Sequence, residues 1–275
     1  MTQITASEVA SLRKITGAGM MDCKKALQES NGDTDKAIEI LRKKGQKIAA
    51  KREDRDAKEG CVLAGVSADS SWGAIVVLNC ETDFVSKNEE FVAVTQSILD
   101  TAIANKPADI DALKALEING SSVEQIVMDQ MGKIGEKIEL GYYASVDGTS
   151  VTPYIHPGNK LATLVAFNKQ IADVQIGKDV AMQIAAMNPV SIDKDDCPSD
   201  IIEKEIEIGK EQALREGKPE AMLEKIALGK LNKFYSENTL LNQEFVKDSK
   251  QTISQYLKSS DKELTVTGFK RFGLQ

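Results

Sequence analysis

A single histidine, His156, stands in 275 residues, beside one tryptophan and six prolines, and aromatic residues make up only 5% of the chain. One histidine excludes a metal motif built on two imidazoles. It leaves a thiol–imidazole pair, as in a thiol hydrolase, only if Cys80 or another cysteine meets His156 in space. The four cysteines, Cys23, Cys61, Cys80 and Cys197, are scattered with no CxxC pair and no short secreted framework to close, which suits reduced thiols in a cytosol. No apolar run reaches the roughly 18 residues that a membrane helix requires, and no basic segment leads into an apolar one at the N-terminus. A cytoplasmic protein without membrane attachment is expected.

The formal net charge of −7 argues against a broad nucleic-acid surface, so no direct nucleic-acid partner is expected. Basic residues do cluster at Arg42, Lys43, Lys44, Lys47, Lys51 and Arg52, but Glu53, Asp54 and Asp56 follow at once, so the segment reads as a solvated helical linker. Gly17-Ala18-Gly19 lacks a preceding strand, the downstream glycine of a dinucleotide fingerprint and a phosphate-binding lysine and hydroxyl, and reads as a helix–helix turn. Acidic pairs such as Glu89-Glu90 and Asp195-Asp196 fall near helix starts, where the helix dipole and solvent account for them. No residue pattern suits a catalytic role, a metal ligand or a cofactor. The chain reads as a non-enzyme.

What is present is a hydrophobic content of 41%, enough for cores, arranged as an α+β protein of one to three domains. Thr5 and Glu8 make a capping box for a helix striped by Val9, Leu12 and Ile15, which Gly17 and Gly19 end. Asp22 can cap a second helix bearing Cys23, Ala26 and Leu27, and Asp33 or Thr34 a third bearing Ala37, Ile38, Ile40 and Leu41. Downstream lies a weak repeat. Gly73 to Leu78, Asn79, a turn, a helix over 88–104 and Lys106-Pro107 parallel Leu161 to Phe167, Asn168, a turn, the helix Val180 to Met187 and Asn188-Pro189. Two similar α+β subdomains with small antiparallel sheets follow from this, Val62 to Val66 and Glu139 to Ser145 supplying further strands of the first. A helix spaced by threes and fours around Val123, Ile126, Val127 and Met131 lies between.

Cys197 to Tyr235 has no strand signal. It reads as an inserted antiparallel helical hairpin, a short coiled coil, turned at Gly217, Lys218 and Pro219, with Ile202, Ile206, Gly209 and Ala213 facing Leu223, Ala227, Leu231 and Phe234. Each arm spans about 25 Å at ~1.5 Å per residue. A helix at Thr252 to Leu257 and a last strand-like stretch, Leu264 to Phe272, complete the second subdomain. The resulting division is a three-helix unit over 1–46, a charged linker over 47–59, the first subdomain over 60–149, the second over 150–195 and 237–263, the hairpin over 196–236 and a C-terminal segment over 264–275.

The stretch that stands out is Asn79 to Val85, where an acid and an aromatic follow a buried strand at the approach to a helix. Either Ser86, boxed with Glu89, or Asn88 caps that helix while Phe84 folds under as core, or Asp83 and Phe84 form an exposed tip. Ser86 as cap would set Val85 against Glu90, which is no apolar staple.

Thr82 to Asn88, TDFVSKN, resembles a signature of the bacterial translation elongation factor Ts family, and Thr16 to Leu27, TGAGMMDCKKAL, matches that family's other signature. The similarity runs from about Ile4 to Phe269. It implies a ubiquitin-associated type of fold for the N-terminal unit, and a guanine nucleotide exchange factor that binds elongation factor Tu and promotes GDP release. Thr82, Asp83, Phe84 and Val85 match the segment whose aromatic enters the partner beside its magnesium site. Lys24, Ile134, Gly135, His156 and Val246 match other partner contacts. Lys247 stands where some relatives carry an apolar residue. A homodimer, or two copies of each protein in one complex, is left open by the resemblance. The competing reading is a general adaptor that uses the N-terminal helical unit to bind other proteins.

Overall fold

Thr5 opens the first helix by the expected reciprocal capping: its hydroxyl accepts from Glu8 N at 3.3 Å and its backbone N donates to Glu8 at 2.7 Å. The computed structural model describes residues 4–52 and 54–274; Glu53 of the charged segment and the first three residues of the N-terminal unit lie outside the described residues. Helix α1 (Ala6–Thr16) stops at Gly17, whose φ of +65° is the left-handed turn that glycine accepts without strain. Helix α2 (Met20–Glu29) starts from Gly19, three residues earlier than an Asp22 cap requires. Asp22 instead lies inside the first turn and pairs with Lys44 of α3 (Thr34–Lys51), for which Asp33 is the cap. Val9, Leu12, Cys23, Ala26, Leu27 and Ala37 close a core of their own between the three helices.

The rest of the chain builds two three-stranded antiparallel sheets packed face to face. The first orders β1 (Glu59–Val66), β2 (Trp72–Cys80) and β5 (Glu139–Asp147). Between β2 and β5 run α4 (Asp83–Ser86), α5 (Glu89–Asn105), α6 (Ile110–Ala115), a two-residue ribbon of β3 (Glu117–Ile118) and β4 (Ser121–Ser122), and α7 (Val123–Ile134). The second sheet orders β10 (Val266–Gly273), β7 (Leu161–Phe167) and β6 (Ser150–Ile155). The central strand of each sheet feeds a long helix, α5 and α8 (Val174–Met187), and each helix ends on a left-handed residue, Lys106 or Asn188, ahead of a proline. Thus the weak repeat is a duplicated unit. Its second helix begins at Val174, six residues before Val180, because Asp173 caps it by accepting from Gln175 N at 2.8 Å.

Alternation of side chains explains why Ala74 to Leu78 reads as one unbroken apolar run. Val62, Ala64, Ile75 and Val77 face Val151, Ala162, Leu164 and Ala166 of the other sheet. Cys61, Leu63, Val76 and Leu78 face Phe91, Ile98 and Leu99 on α5. A strand buried on both sides needs apolar residues at both parities. Val165 and Phe167 pack outward on α8 and α11 (Ile253–Ser260), so the order through the molecule is helices, sheet, sheet, helices.

The antiparallel arms α9 (Ser199–Arg215) and α10 (Glu220–Asn238) leave this body between α8 and the small hairpin of β8 (Glu244–Phe245) and β9 (Asp248–Thr252). Gly209, Ala213, Ala227 and Leu231 are the buried positions where the arms meet. The C-terminal strand is a tie-down: Phe272 packs against Tyr142 in a tilted pair with ring centroids 4.4 Å apart, and Leu274 N donates to Lys160 O at 2.9 Å.

Candidate functional site

The chain leaves β2 at Cys80 and immediately makes α4, a single helical turn over Asp83 to Ser86. Successive residues of a helix point about 100° apart, so one turn cannot bury all its side chains against one surface. Ser86 is buried and Val85 packs on the first core, which leaves Phe84 outside. Its side chain is 84% exposed, the highest value among the exposed large hydrophobic residues described. Phe84 is therefore an exposed tip and not core filler. Asn88, not Ser86, caps α5: its Oδ1 accepts from Glu90 N at 2.9 Å and Phe91 N at 3.3 Å, whereas the Ser86 hydroxyl turns back to Asp83 O.

Carboxylates brace this tip from several sides. Asp83 pairs with Lys87 at 2.7 Å, and that hydrogen bond and charge hold its carboxyl below the usual carboxylate range. Glu136 accepts from both the backbone N and the hydroxyl of Thr82, at 3.0 and 2.8 Å. Glu81 accepts from Lys137 N at 2.6 Å and from Arg52 at 2.5 Å, and its pKa is lowered, chiefly by the Lys137 backbone bond. Arg52 is thus an ion-pair partner and not a solvated side chain.

Ile134 and Gly135 arrive at the same place. Gly135 ends α7 with φ +80°, Ile134 packs on the first core, and Glu136 follows directly. Between them, a cleft of about 370 Å³ is lined by Phe84, Val85, Glu90, Lys133 and Ile134 on the core side and by Arg13 and Gly17 to Gly19 on the N-terminal unit. The family's two sequence signatures thus face one cleft. His156 belongs to the turn joining β6 to β7, which is bonded to the beginning of β1 through Asn159 O and Val62 N at 2.8 Å and through Lys160 and Glu59 at 2.9 Å. Glu59 pairs in register with Cys80, so this turn borders the motif, and the Lys160 charge helps to depress the Asp83 pKa.

Two expected contact residues stand apart. Lys24 is exposed on α2. Val246, 50% exposed, sits at the tip of the β8–β9 hairpin in the opposite helical layer. That tip is held from α8: Val246 N donates to the fully buried Gln183 at 2.9 Å, Gln183 donates to Glu244 O at 3.1 Å, and Lys247 pairs with Asp179 at 2.7 Å. Burial works against the Asp179 charge, but Lys247, Gln175 and Tyr256 outweigh it and hold the carboxyl below its ordinary range.

The thiol–imidazole pair is not formed. Cys80 is buried, its thiol donates to Thr82 O at 3.2 Å, and desolvation with the nearby Glu136 charge pushes its pKa up to about 12. The His156 ring bonds the Tyr154 hydroxyl at 2.9 Å instead. Among the described residues there is no group of three or more side chains suited to a metal ion, and no helix is long and apolar enough to cross a membrane. Residue patterns did not mark Glu81, Glu136, Asp179 or Gln183, since the partners Lys137, Thr82, Lys247 and Val246 lie 54 to 68 positions away and leave no periodic trace.

The family described as elongation factor TS matches residues 81–275. Relatives include the elongation factor Ts of Porphyromonas gingivalis, 56% identical over 273 residues and covering 98% of each chain. That of Amoebophilus asiaticus is 56% identical over 270 residues, again 98% of each. That of Cytophaga hutchinsonii is 55% identical over 277 aligned positions and spans the whole of both chains.

Proposed function

Since this chain belongs to the elongation factor Ts family, we propose that it binds elongation factor Tu and promotes release of GDP, so that GTP can replace it during translation. The observation that carries this reading is an 84%-exposed phenylalanine on a rigidly braced turn inside the family motif. A large ring left in water has no folding role to repay its exposure, and a braced one suits insertion into a partner. Thr82, Asp83, Phe84 and Val85 form the inserting segment. Ile134, Gly135 and His156 hold the partner beside it, and Lys24 and Val246 hold it at a distance from the motif.

The mechanism is mechanical and forms no covalent bond. Binding of the exchange factor and binding of nucleotide with its magnesium oppose each other, and that coupling is reciprocal, so incoming GTP expels the factor in turn. Accelerating release about a thousandfold requires about 4 kcal/mol of selective stabilisation. Burying one phenylalanine supplies about 1.5–3 kcal/mol before ordering costs, which is why the dispersed contacts are needed as well.

Stopped-flow release of a fluorescent GDP analogue from elongation factor Tu tests the reading. Wild-type protein accelerates release strongly and Phe84→Ala little, with an unchanged unfolding midpoint because the ring belongs to none of the hydrophobic cores. No acceleration by wild type sinks the exchange-factor assignment.

A further inference from the structure

We propose that Glu136 is a positioning residue for Phe84, a carboxylate latch that fixes the direction of the ring before any partner arrives; this rests on the exchange-factor reading above. A helix of four residues has no cooperative stability of its own, so α4 takes its orientation from what holds its ends. Its N-terminal end is Thr82. That residue has the extended backbone of a cap, φ −124° and ψ 153°, yet its hydroxyl accepts nothing from the first turn of α4. The hydroxyl is spent on Glu136, which also takes the Thr82 backbone N–H.

The exchange is reciprocal. Glu136 accepts from the backbone beside Glu81, and Glu81 accepts from the backbone N of Lys137, so two segments 54 to 56 residues apart each supply a carboxylate to the other. Charge-assisted bonds to carboxylates are about twice as strong as neutral ones, and two from one residue fix direction as well as distance. On the outer side Ser86 is buried and Val85 rests on the core, so the turn is pinned at both ends with only Phe84 and Asp83 facing out. A turn ordered in advance leaves only the ring's own torsions to be fixed at the moment of insertion.

The test is a double-mutant cycle read by stopped-flow release of the GDP analogue, with wild type, Phe84→Ala, Glu136→Ala, Glu136→Gln and the Glu136→Ala/Phe84→Ala pair. Loss of both bonds slows release about tenfold or more in Glu136→Ala. Glu136→Gln restores most of the rate, because its carbonyl accepts from Thr82 N and its amide donates to the Thr82 hydroxyl. In the Phe84→Ala background Glu136→Ala adds nothing, as a residue acting through the ring must. A merely structural role gives the same slowing in both backgrounds, and that result, or a Glu136→Ala rate equal to wild type, overturns the latch. A Phe84→Ala rate equal to wild type overturns the wedge reading itself and the latch with it. Should Glu136→Ala fail to fold, Thr82→Val deletes one of the two bonds and is expected to slow release by a smaller factor, again only when Phe84 is present.

Discussion

Gly45 of α3 and Gly132 of α7 meet backbone to backbone: a Cβ added at Gly132 would lie 3.0 Å from the Gly45 Cα, and one at Gly45 3.4 Å from the Gly132 Cα. Each glycine costs its helix about 1 kcal/mol relative to alanine, so the sequence gives up helical stability at both positions to let the axes approach. The contact seats the three-helix unit on the body of the protein, beside a second cavity lined by Ile15, Leu41, Gly45 and Gly132. Gly132→Leu is expected to lift α3 away while each core stays folded. The radius of gyration in solution scattering then rises and the segment over 52–58 becomes easier to cleave by protease; an unchanged profile would show that the seat tolerates a side chain.

Asp179 makes stability depend on acidity in a definite direction. Its folded pKa lies below the ordinary 3.8, so its contribution is complete above that value and fades as pH falls through the folded pKa. Asp179→Asn is expected to cost about 1–3 kcal/mol near neutral pH. Urea unfolding of the two proteins should converge as the pH is taken down through the lowered Asp179 pKa. A gap that stays constant into acid would place the cost in packing and not in charge.

Cys80 is expected to be inert in the folded protein. With its pKa pushed up from 9.0 to about 12, the thiolate fraction near neutral pH falls about a thousandfold, on top of burial. Iodoacetamide should modify Cys80 only after denaturant is added, as read by peptide mass. Labelling of the native protein at a free-thiol rate would contradict the buried geometry.

At Gly209 the arms of the hairpin pack closely: an added Cβ would sit 3.1 Å from the Cα of Ala227. Gly209→Leu is expected to splay the arms, lowering the melting temperature of an early transition while a later one, belonging to the sheets and their helices, stays in place. A single transition shifted as a whole would mean that hairpin and body unfold together.

Much of this architecture was legible in the residues because it follows from periodicity. Leu161 to Phe167 could be placed to the residue, since a strand buried on both faces is a plain apolar block, and the hairpin followed from facing stripes and a Gly-Lys-Pro turn. Three things were not legible. β8 has two residues and the tip of β9 is Asp-Ser-Lys, too short and too polar to alternate. The choice between Asn88 and Ser86 as cap, and between Gly19 and Asp22, depends on where the preceding chain enters, which local propensity does not encode. Finally, the braces of the site are pairs such as Thr82 with Glu136 and Val246 with Gln183, brought together only by the completed fold.

The feet of the long hairpin stand side by side: Val190 N donates to Asn238 O at 2.8 Å, Leu240 N to Ser191 O at 3.0 Å, and Asn242 to Asp193 at 2.7 Å. An insertion whose entry and exit are already stitched together asks nothing of the fold beneath it except that one bridge. The arms form a detachable appendage, open to lengthening, trimming or exchange for another module over the course of descent, while the face that carries Phe84 keeps its shape.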